Sequence, residues 1–377
     1  MNIKNLLTVM VKQNSSDLYI TVDSPPMLRT EGITRPCGEQ KITAHQAEEI
    51  AASIMTEKQK IKFAETLEMN LALHYPELGR FRVNIFKQKG LTGLVIRQIK
   101  MNIQSIKELR LPLILEEISL CKRGLVLVVG RTGTGKSTTL AAMIDHRNAN
   151  STGHIVTIED PIEFVHRHKQ MIVTQREIGL DTHSFTNALK NVMRAAPDVI
   201  LVGEIRDRET MEAAITFAET GHLVLATLHA NNANQAMERI LNFFPHERHE
   251  QILLQLSLNL KAIISQRLIP STDGIRAAAV EILLDTPRVK DLLHKNQVEL
   301  LKEAMAHGTG EGMQTFDQAI FDLYKQGRID YDNTLIYADS VNDLRLRIKL
   351  DKISDERAHT LSEKKPKEKF RLRPNVK

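Results

Sequence analysis

The chain has 377 residues, of which 42% are hydrophobic and 26% charged, so its length predicts two domains with sizeable cores. Its formal net charge of +5 comes from the C-terminal end, because residues 342–377 hold twelve Lys or Arg against six Asp or Glu. The rest of the chain is close to neutral, which argues against the basic groove of a nucleic-acid-binding protein. Cys37 and Cys121 stand in no metal-like spacing, which argues against a zinc site or disulfide scaffold and favours a reducing, cytoplasmic location.

Residues 1–100 predict a smaller α+β domain. A strand is expected over residues 17–22, and two more are expected over residues 81–86 and 93–97. Thr43 is a helix-capping residue with a reciprocal partner in Gln46, so a helix is expected from Thr43 through Lys62. A linker over residues 101–112 leads to the second domain. No stretch of the chain is apolar for long enough to predict a transmembrane segment.

A glycine-rich loop with the sequence GRTGTGKS occupies residues 130–137. The apolar, β-branched run 125–129 before it predicts a buried strand, and residues 138–146 after it predict a helix. A strand, a glycine loop and a helix N-terminus in this order are typical of a phosphate-binding loop. Lys136 would reach the β- and γ-phosphates of a nucleotide, and the Ser137 hydroxyl would hold Mg²⁺. The predicted nucleotide-binding residues are Gly130, Thr132, Gly133, Thr134, Gly135, Lys136, Ser137 and Thr138.

The second domain, over residues 113–340, alternates strands with helices, as expected for a doubly wound α/β core with a mainly parallel sheet. The expected strands lie over residues 125–129, 155–158, 199–202, 223–228 and 278–283. Three helices are expected afterwards, over residues 289–304, 315–326 and 338–348. Residues 341–377 form a basic tail that is helical or disordered, and it serves either as a solvated end or as a docking arm for an acidic partner or a membrane surface.

Two of the expected strands end in acidic residues. Glu204 follows the apolar run 199–202, and this is the Walker B pattern, in which the carboxylate holds Mg²⁺ or positions the attacking water. A second strand ends in Glu159, Asp160 and Glu163, three acids within five residues. Beside a nucleotide these acids would suit Mg²⁺ coordination and water activation, whereas the segment alone is a weak signal and favours a solvated acidic turn.

Histidines and arginines supply further candidates for the site. His222 and His229 stand at the two ends of a buried strand, where a structural role and a γ-phosphate sensor are both open. Arg80, Arg82 and Arg97 lie in the first domain, and the first two share a face if their segment is a strand. Solvated surface arginines are the ordinary interpretation, while in an oligomeric ATPase such residues act in trans as arginine fingers.

Four segments in this order resemble the secretion-type ATPase family, and within it the type IV pilus retraction motors. They are the glycine loop, the acid box IEDPIEF, the Walker B segment DVILVGEIRD and the histidine box GHLVLATLHA. The resemblance covers about residues 1 to 340. It implies a RecA-like P-loop ATPase core with a smaller PAS-like N-terminal domain, in a homo-hexameric ring that hydrolyses ATP with Mg²⁺. The residues it implies in catalysis are Glu163, Glu204, Arg82, Arg97 and His229, with Ser137 and Glu204 on the Mg²⁺.

Two features differ from the main retraction motors of that family. Those motors carry an Ala-Ile-Arg-Asn-Leu-Ile segment in their C-terminal helices, where this chain has RVKDLL at residues 288–293. The basic tail is additional. Both features resemble the accessory retraction ATPases, which implies a main retraction ATPase and an inner-membrane platform protein as partners. The resemblance also implies a cytoplasmic position, peripheral to the inner membrane at the base of the pilus machine.

The sequence also bears on three alternative functions: a regulatory ring, a DNA-driving motor and a GTPase. A regulatory or structural ring that binds nucleotide and stacks on the main motor is favoured by the altered segment 288–293. The intact phosphate loop, together with Glu163 and Glu204, argues against an inactive enzyme. A DNA-driving motor would need a basic groove or an aromatic stacking platform, and the near-neutral body offers neither clearly. A GTPase is disfavoured because the chain has no Asn-Lys-x-Asp segment to recognise guanine.

Overall fold

The structure is a computed structural model that describes residues 2–30, 32–99 and 102–363. Its helices are α1 (Ile3–Lys12), α2 (Ala44–Ile54), α3 (Glu57–Thr66), α4 (Ile114–Ser119), α5 (Lys136–Asn150), α6 (Phe185–Val192), α7 (Arg208–Glu219), α8 (Ala233–Asn242), α9 (His249–Asn259), α10 (Pro287–His294), α11 (Leu301–His307), α12 (Phe316–Lys325), α13 (Tyr331–Ile336) and α14 (Val341–Glu363).

The strands are β1 (Asp17–Ile20), β2 (Met27–Thr30), β3 (Ile33–Pro36), β4 (Glu68–Tyr75), β5 (Gly79–Gln88), β6 (Leu91–Ile99), β7 (Gly124–Val129), β8 (Gly153–Glu159), β9 (Met171–Glu177), β10 (Val199–Val202), β11 (Leu223–Leu228), β12 (Leu260–Pro270) and β13 (Arg276–Leu284). They form two separate sheets, one from the first six strands and one from the last seven.

The first sheet is antiparallel throughout, in the order β3-β2-β1-β6-β5-β4. Along most of β5 buried residues alternate with more open ones, as expected for a sheet with one covered face. Helices α1 and α2 supply Leu7 and Ile50 to the core on that face, where they join Leu18, Phe81 and Ile96 of the strands. An α+β unit therefore precedes the phosphate loop, while the domain boundaries drawn from the sequence stay a prediction.

The single helix expected from Thr43 through Lys62 is wrong, because the chain forms two helices there. The capping box of Thr43 and Gln46 is present at the start of α2, as predicted. However, Thr56 forms a second capping box with Gln59, so a new helix, α3, begins directly after it. A second N-cap signal within the expected helix thus ends the first helix at Ile54.

The second sheet confirms the predicted doubly wound α/β core. Its strand order is β13-β12-β7-β11-β10-β8-β9, and every neighbouring pair is parallel except β12 and β13. Along β7, Leu125 and Leu127 enter the core on one face, and Val126 and Val128 enter the core on the other. Because both faces are covered, the strands in the middle of the sheet are continuous apolar runs.

The C-terminal region differs from the expectation in two places. The helix expected over residues 289–304 is broken, because α10 ends at His294, Asn296 has a left-handed φ of 55°, and α11 begins only at Leu301. The last expected helix starts at Val341 and runs to Glu363. Residues 364–377 of the basic tail lie outside the described residues. No helix in the described part of the chain is both long and apolar enough to cross a bilayer.

Candidate active site

The glycine-rich loop joins β7 to α5 at the carboxyl edge of the second sheet. Gly130 and Gly135 have φ of 153° and 89°, and a Cβ on Gly130 would lie 2.7 Å from the backbone oxygen of Gln266. The positive φ favours glycine at both positions, and at Gly130 the close backbone of Gln266 also leaves no room for a side chain. Because Gly135 is the N-cap of α5, no side chain caps this helix, so the N–H groups of its first turn can bind an anion.

Lys136 is the first residue of α5, and its side chain folds back over the loop. Its Nζ donates to the backbone oxygens of Gly130, at 2.8 Å, and Arg131, at 3.1 Å. Burial lowers the pKa of Lys136, and the nearby carboxylates of Glu204 and Glu163 act in the opposite direction. The ammonium group therefore lies near both of the carboxylates that the sequence selects for catalysis.

Glu204 follows β10 and is held by two side chains. His229, directly after β11, places its Nε2 2.9 Å from Glu204 Oε1. Arg206 places its Nε and Nη2 2.7 Å and 2.6 Å from Glu204 Oε2, and its Nη1 lies 3.6 Å from Oδ2 of Asp160, directly after β8. Three neighbouring parallel strands thus deliver polar groups to one point at the carboxyl edge of the sheet.

The acid box contains two glutamates in opposite environments. Glu159 is the last residue of β8, and its Oε1 accepts hydrogen bonds from Thr157 Oγ1 at 2.6 Å and Gln175 Nε2 at 3.1 Å. Burial raises the pKa of Glu159 to about 7, so much of this carboxyl is protonated at neutral pH. Glu163 is exposed. Both glutamates line the cavity described next, and Glu163 is the more open of the two.

These groups surround a cavity of about 580 Å³, a size typical of small-molecule sites. It is lined by Glu163, Glu204, Arg206, His229 and six of the eight predicted nucleotide-binding residues, namely Thr132, Gly133, Gly135, Lys136, Ser137 and Thr138. Gly130 and Thr134, the other two, belong to the same loop but do not line the cavity. Thr134 Oγ1 donates to the backbone oxygen of Arg131 at 2.9 Å.

The three candidate arginines of the first sheet do not line this cavity. Arg97 Nε donates to Asp17 Oδ1 at 2.8 Å, and Asp17 is buried. Arg80 Nη2 lies 4.0 Å from Oε2 of Glu177, a buried carboxylate at the end of β9. Burial raises the pKa of Glu177, and the charges of Arg82 and Arg80 act against that rise. Within one chain these arginines therefore face carboxylates rather than the phosphate loop.

His222 lies at the opposite end of β11 from His229. Its Nδ1 is 3.1 Å from Thr220 Oγ1 and from the backbone oxygen of Phe217, which are local structural contacts. No role for Arg206 is predicted from the sequence, although its position two residues after the Walker B acid is a usable signal. Gln175, which holds Glu159, belongs to a strand that was not predicted.

The comparisons with known proteins agree with this geometry. A family model described as type II/IV secretion system protein matches residues 3–308, most of the chain. The chain belongs to this family. It is 55% identical, over 94% of its length and 93% of the relative's, to the type IV pilus ATPase PilU of Pseudomonas aeruginosa. It is 42% identical to the type IV pilus retractation ATPase PilT of the same organism, over 88% of this chain and 97% of that protein.

A solved structure extends the family assignment to the fold. The crystal structure of the pilus retraction motor PilT with bound ADP aligns with a TM-score of 0.86 and 38% identity, over 92% of this chain and 99% of that one. The predicted resemblance to the secretion-type ATPases is thus confirmed, and so is the RecA-like core preceded by a smaller domain. Membership of the type II/IV secretion family implies ATP hydrolysis.

Proposed function

We propose that the chain is an ATP-hydrolysing motor subunit that assists type IV pilus retraction, as an accessory to a main retraction ATPase. The observation that carries this proposal is the cavity where Lys136, Glu163 and Glu204 meet, in a chain that is 55% identical to the pilus ATPase PilU. The cavity receives groups from the ends of β7, β8, β10 and β11, at the carboxyl edge of the second sheet.

ATP would place its phosphates against the free N–H groups of α5. Lys136 Nζ would then give up its hydrogen bonds to the backbone oxygens of Gly130 and Arg131 and donate to phosphate oxygens instead. The phosphate oxygens are charged acceptors, which form stronger hydrogen bonds than neutral ones. Glu163 would orient or deprotonate the attacking water. Arg206 and His229 hold the Glu204 carboxylate in place.

The donor set also fits Mg²⁺. Ser137 and Glu204 bring a hydroxyl and a carboxylate to the same cavity, and Mg²⁺ prefers oxygen ligands, taking one or two from the protein and others from phosphate and water. No cluster of three or more His, Cys, Asp or Glu side chains in the described ranges forms a ready-made metal cage. When bound, the ion would offset charge on the phosphates, and on the protein side Ser137 and Glu204 would hold it.

Coupling to the pilus would run through domain movement in a homo-hexameric ring. We assign residues 1–100 to the first domain, 101–112 to the linker, 113–340 to the ATPase domain and 341–377 to the tail. ATP binding would shift the first domain against the second, and the ring would move an inner-membrane platform protein beside the main motor. This places the subunit at the cytoplasmic base of the pilus machine, attached to the membrane through that partner.

Arg82→Ala is expected to slow hydrolysis, because we propose that Arg82 reaches the nucleotide of a neighbouring subunit. Arg82 and Arg80 share a face of β5, two residues apart. Mixing Arg82→Ala subunits with Lys136→Ala subunits creates some interfaces with an intact phosphate loop on one side and an intact Arg82 on the other. ATP turnover by the mixture should therefore exceed that of either variant alone. Mixed rings without recovery would mean that Arg82 serves only its own chain.

The function itself is tested in two steps. We expect the purified chain to hydrolyse ATP, and we expect a changed rate when the main retraction motor is added. In cells, pilus retraction should be strongest with both motors and weaker with the main motor alone. Nucleotide binding without turnover, together with unchanged retraction when the chain is inactivated by substitution but still present, would favour the structural ring instead.

A further inference from the structure

Gln266 lies on β12 beneath the phosphate loop, outside all the motifs of the sequence. Its side chain is buried, and its Oε1 accepts a hydrogen bond from Thr139 Oγ1 at 2.7 Å. A Cβ on Gly135 would lie 3.0 Å from Gln266 Nε2, and one on Gly130 would lie 2.7 Å from the Gln266 backbone oxygen. One residue of β12 thus touches the first glycine of the loop, the last glycine of the loop and the first helical turn after it.

This contact matters because α5 has no capping side chain. Most helices fix their N-terminus with a Ser, Thr, Asp or Asn that bonds to the free N–H groups. Here Gly135 is the N-cap, and those N–H groups must stay available for phosphate. The first turn therefore needs support from its side, and the Thr139 hydroxyl supplies it, since Thr139 is 1% exposed and bonds to the neighbouring strand.

The strand that carries Gln266 is itself firmly held. The two residues beside Gln266 point to the opposite face of the sheet, as strand geometry requires. Ser265 Oγ donates to Glu281 Oε1 at 3.0 Å, which joins β12 to β13. The Arg267 guanidinium lies 3.8 Å from the ring centre of Phe316 on α12. Gln266 therefore reaches the loop from a strand that is anchored on its far side.

We infer that Gln266 is a positioning residue for nucleotide binding, which sets the first turn of α5 through Thr139 and limits the space behind the loop at Gly130 and Gly135. The inference rests on the proposed function, because it assumes that the loop binds ATP. Both partners are buried polar groups, so removing either side chain leaves the other buried without its hydrogen-bond partner. This contact therefore helps to set the position of Lys136 and of the phosphate-binding N–H groups, beside the bonds that Lys136 makes to its own loop.

The test compares three single variants and one double variant of the full chain. Thr139→Val removes the hydroxyl and keeps the shape, Thr139→Ser restores a hydroxyl, and Gln266→Leu removes the acceptor. We expect Thr139→Val and Gln266→Leu to raise the Kd for a non-hydrolysable ATP analogue by about two- to ten-fold, while Thr139→Ser stays near wild type. The double variant Thr139→Val with Gln266→Leu should bind the analogue no more weakly than the weaker-binding of the two single variants. The reason is that both substitutions remove the same hydrogen bond.

Ser265→Ala is the matched control, because it removes a buried hydrogen bond of the same strand on the face away from the loop. It should lower the melting temperature without nucleotide and leave the Kd unchanged. An unchanged Kd in folded Thr139→Val would overturn the role of Gln266 and leave the proposed function standing. A wild-type chain that binds no ATP analogue would instead overturn the proposed function, and this inference with it.

Discussion

Lys136→Ala is expected to lower ATP turnover by about 10²- to 10³-fold or more, the usual loss when a charged or hydrogen-bonding group facing the transition state is removed. Among the described residues, Lys136 donates to two backbone oxygens of its own loop, at 2.8 Å and 3.1 Å. Its loss should therefore cost about 1 kcal/mol of folding free energy, which a domain of this size tolerates. The measurements are steady-state turnover, melting temperature and oligomer size.

Lys169→Ala is the matched control for that change. Lys169 belongs to the same domain, does not line the cavity, and pairs with Asp145 at 2.8 Å, where both side chains are partly exposed. Its replacement should leave turnover unchanged, because exposed ion pairs contribute little. Turnover near the wild-type rate in folded Lys136→Ala would refute the assignment of the phosphate loop.

The sequence predicts the central strands of the second sheet well, because each is a short apolar run that is buried on both faces. It fails at β12, where residues 249–264 contain neither glycine nor proline and apolar residues recur throughout. A short apolar run fits a buried helix and a buried strand equally well. The change from α9 to β12 is decided by pairing with β7, whose residues are more than 120 positions away. Local patterns carry no information about that pairing.

The candidate site shows the same limit. Glu204, His229 and the acid box could be placed together from the sequence, because each lies at the carboxyl end of a strand in a mainly parallel sheet. The different environments of Glu159 and Glu163 could not be predicted, since the partner Gln175 lies on β9, a strand that is absent from the sequence-based prediction. Gln266 could not be selected from the sequence for a related reason, because its strand, β12, is also absent from the prediction.

Glu163→Gln is expected to bind ATP normally and to hydrolyse it about 10²- to 10⁴-fold more slowly, the usual loss when a catalytic carboxylate is neutralised. The amide keeps the size of the side chain but can neither accept a proton nor orient water as strongly. Because Glu163 is exposed and lines the cavity with Lys136, the change should not affect folding. Turnover measured beside the Kd for an ATP analogue separates the chemical step from binding.

Glu159→Gln provides the matched comparison, since it makes the same substitution four residues earlier in the acid box. Burial raises the pKa of Glu159 to about 7, so the neutral amide resembles a protonated carboxyl that is already well populated at pH 7. Its oxygen can still accept from Thr157 and Gln175, and we therefore expect turnover within a few-fold of wild type, a change of about 1 kcal/mol or less. If Glu163→Gln keeps the full rate and Glu159→Gln loses it, the catalytic carboxylate is the buried Glu159, and the raised pKa would then be the property that prepares it to accept a proton.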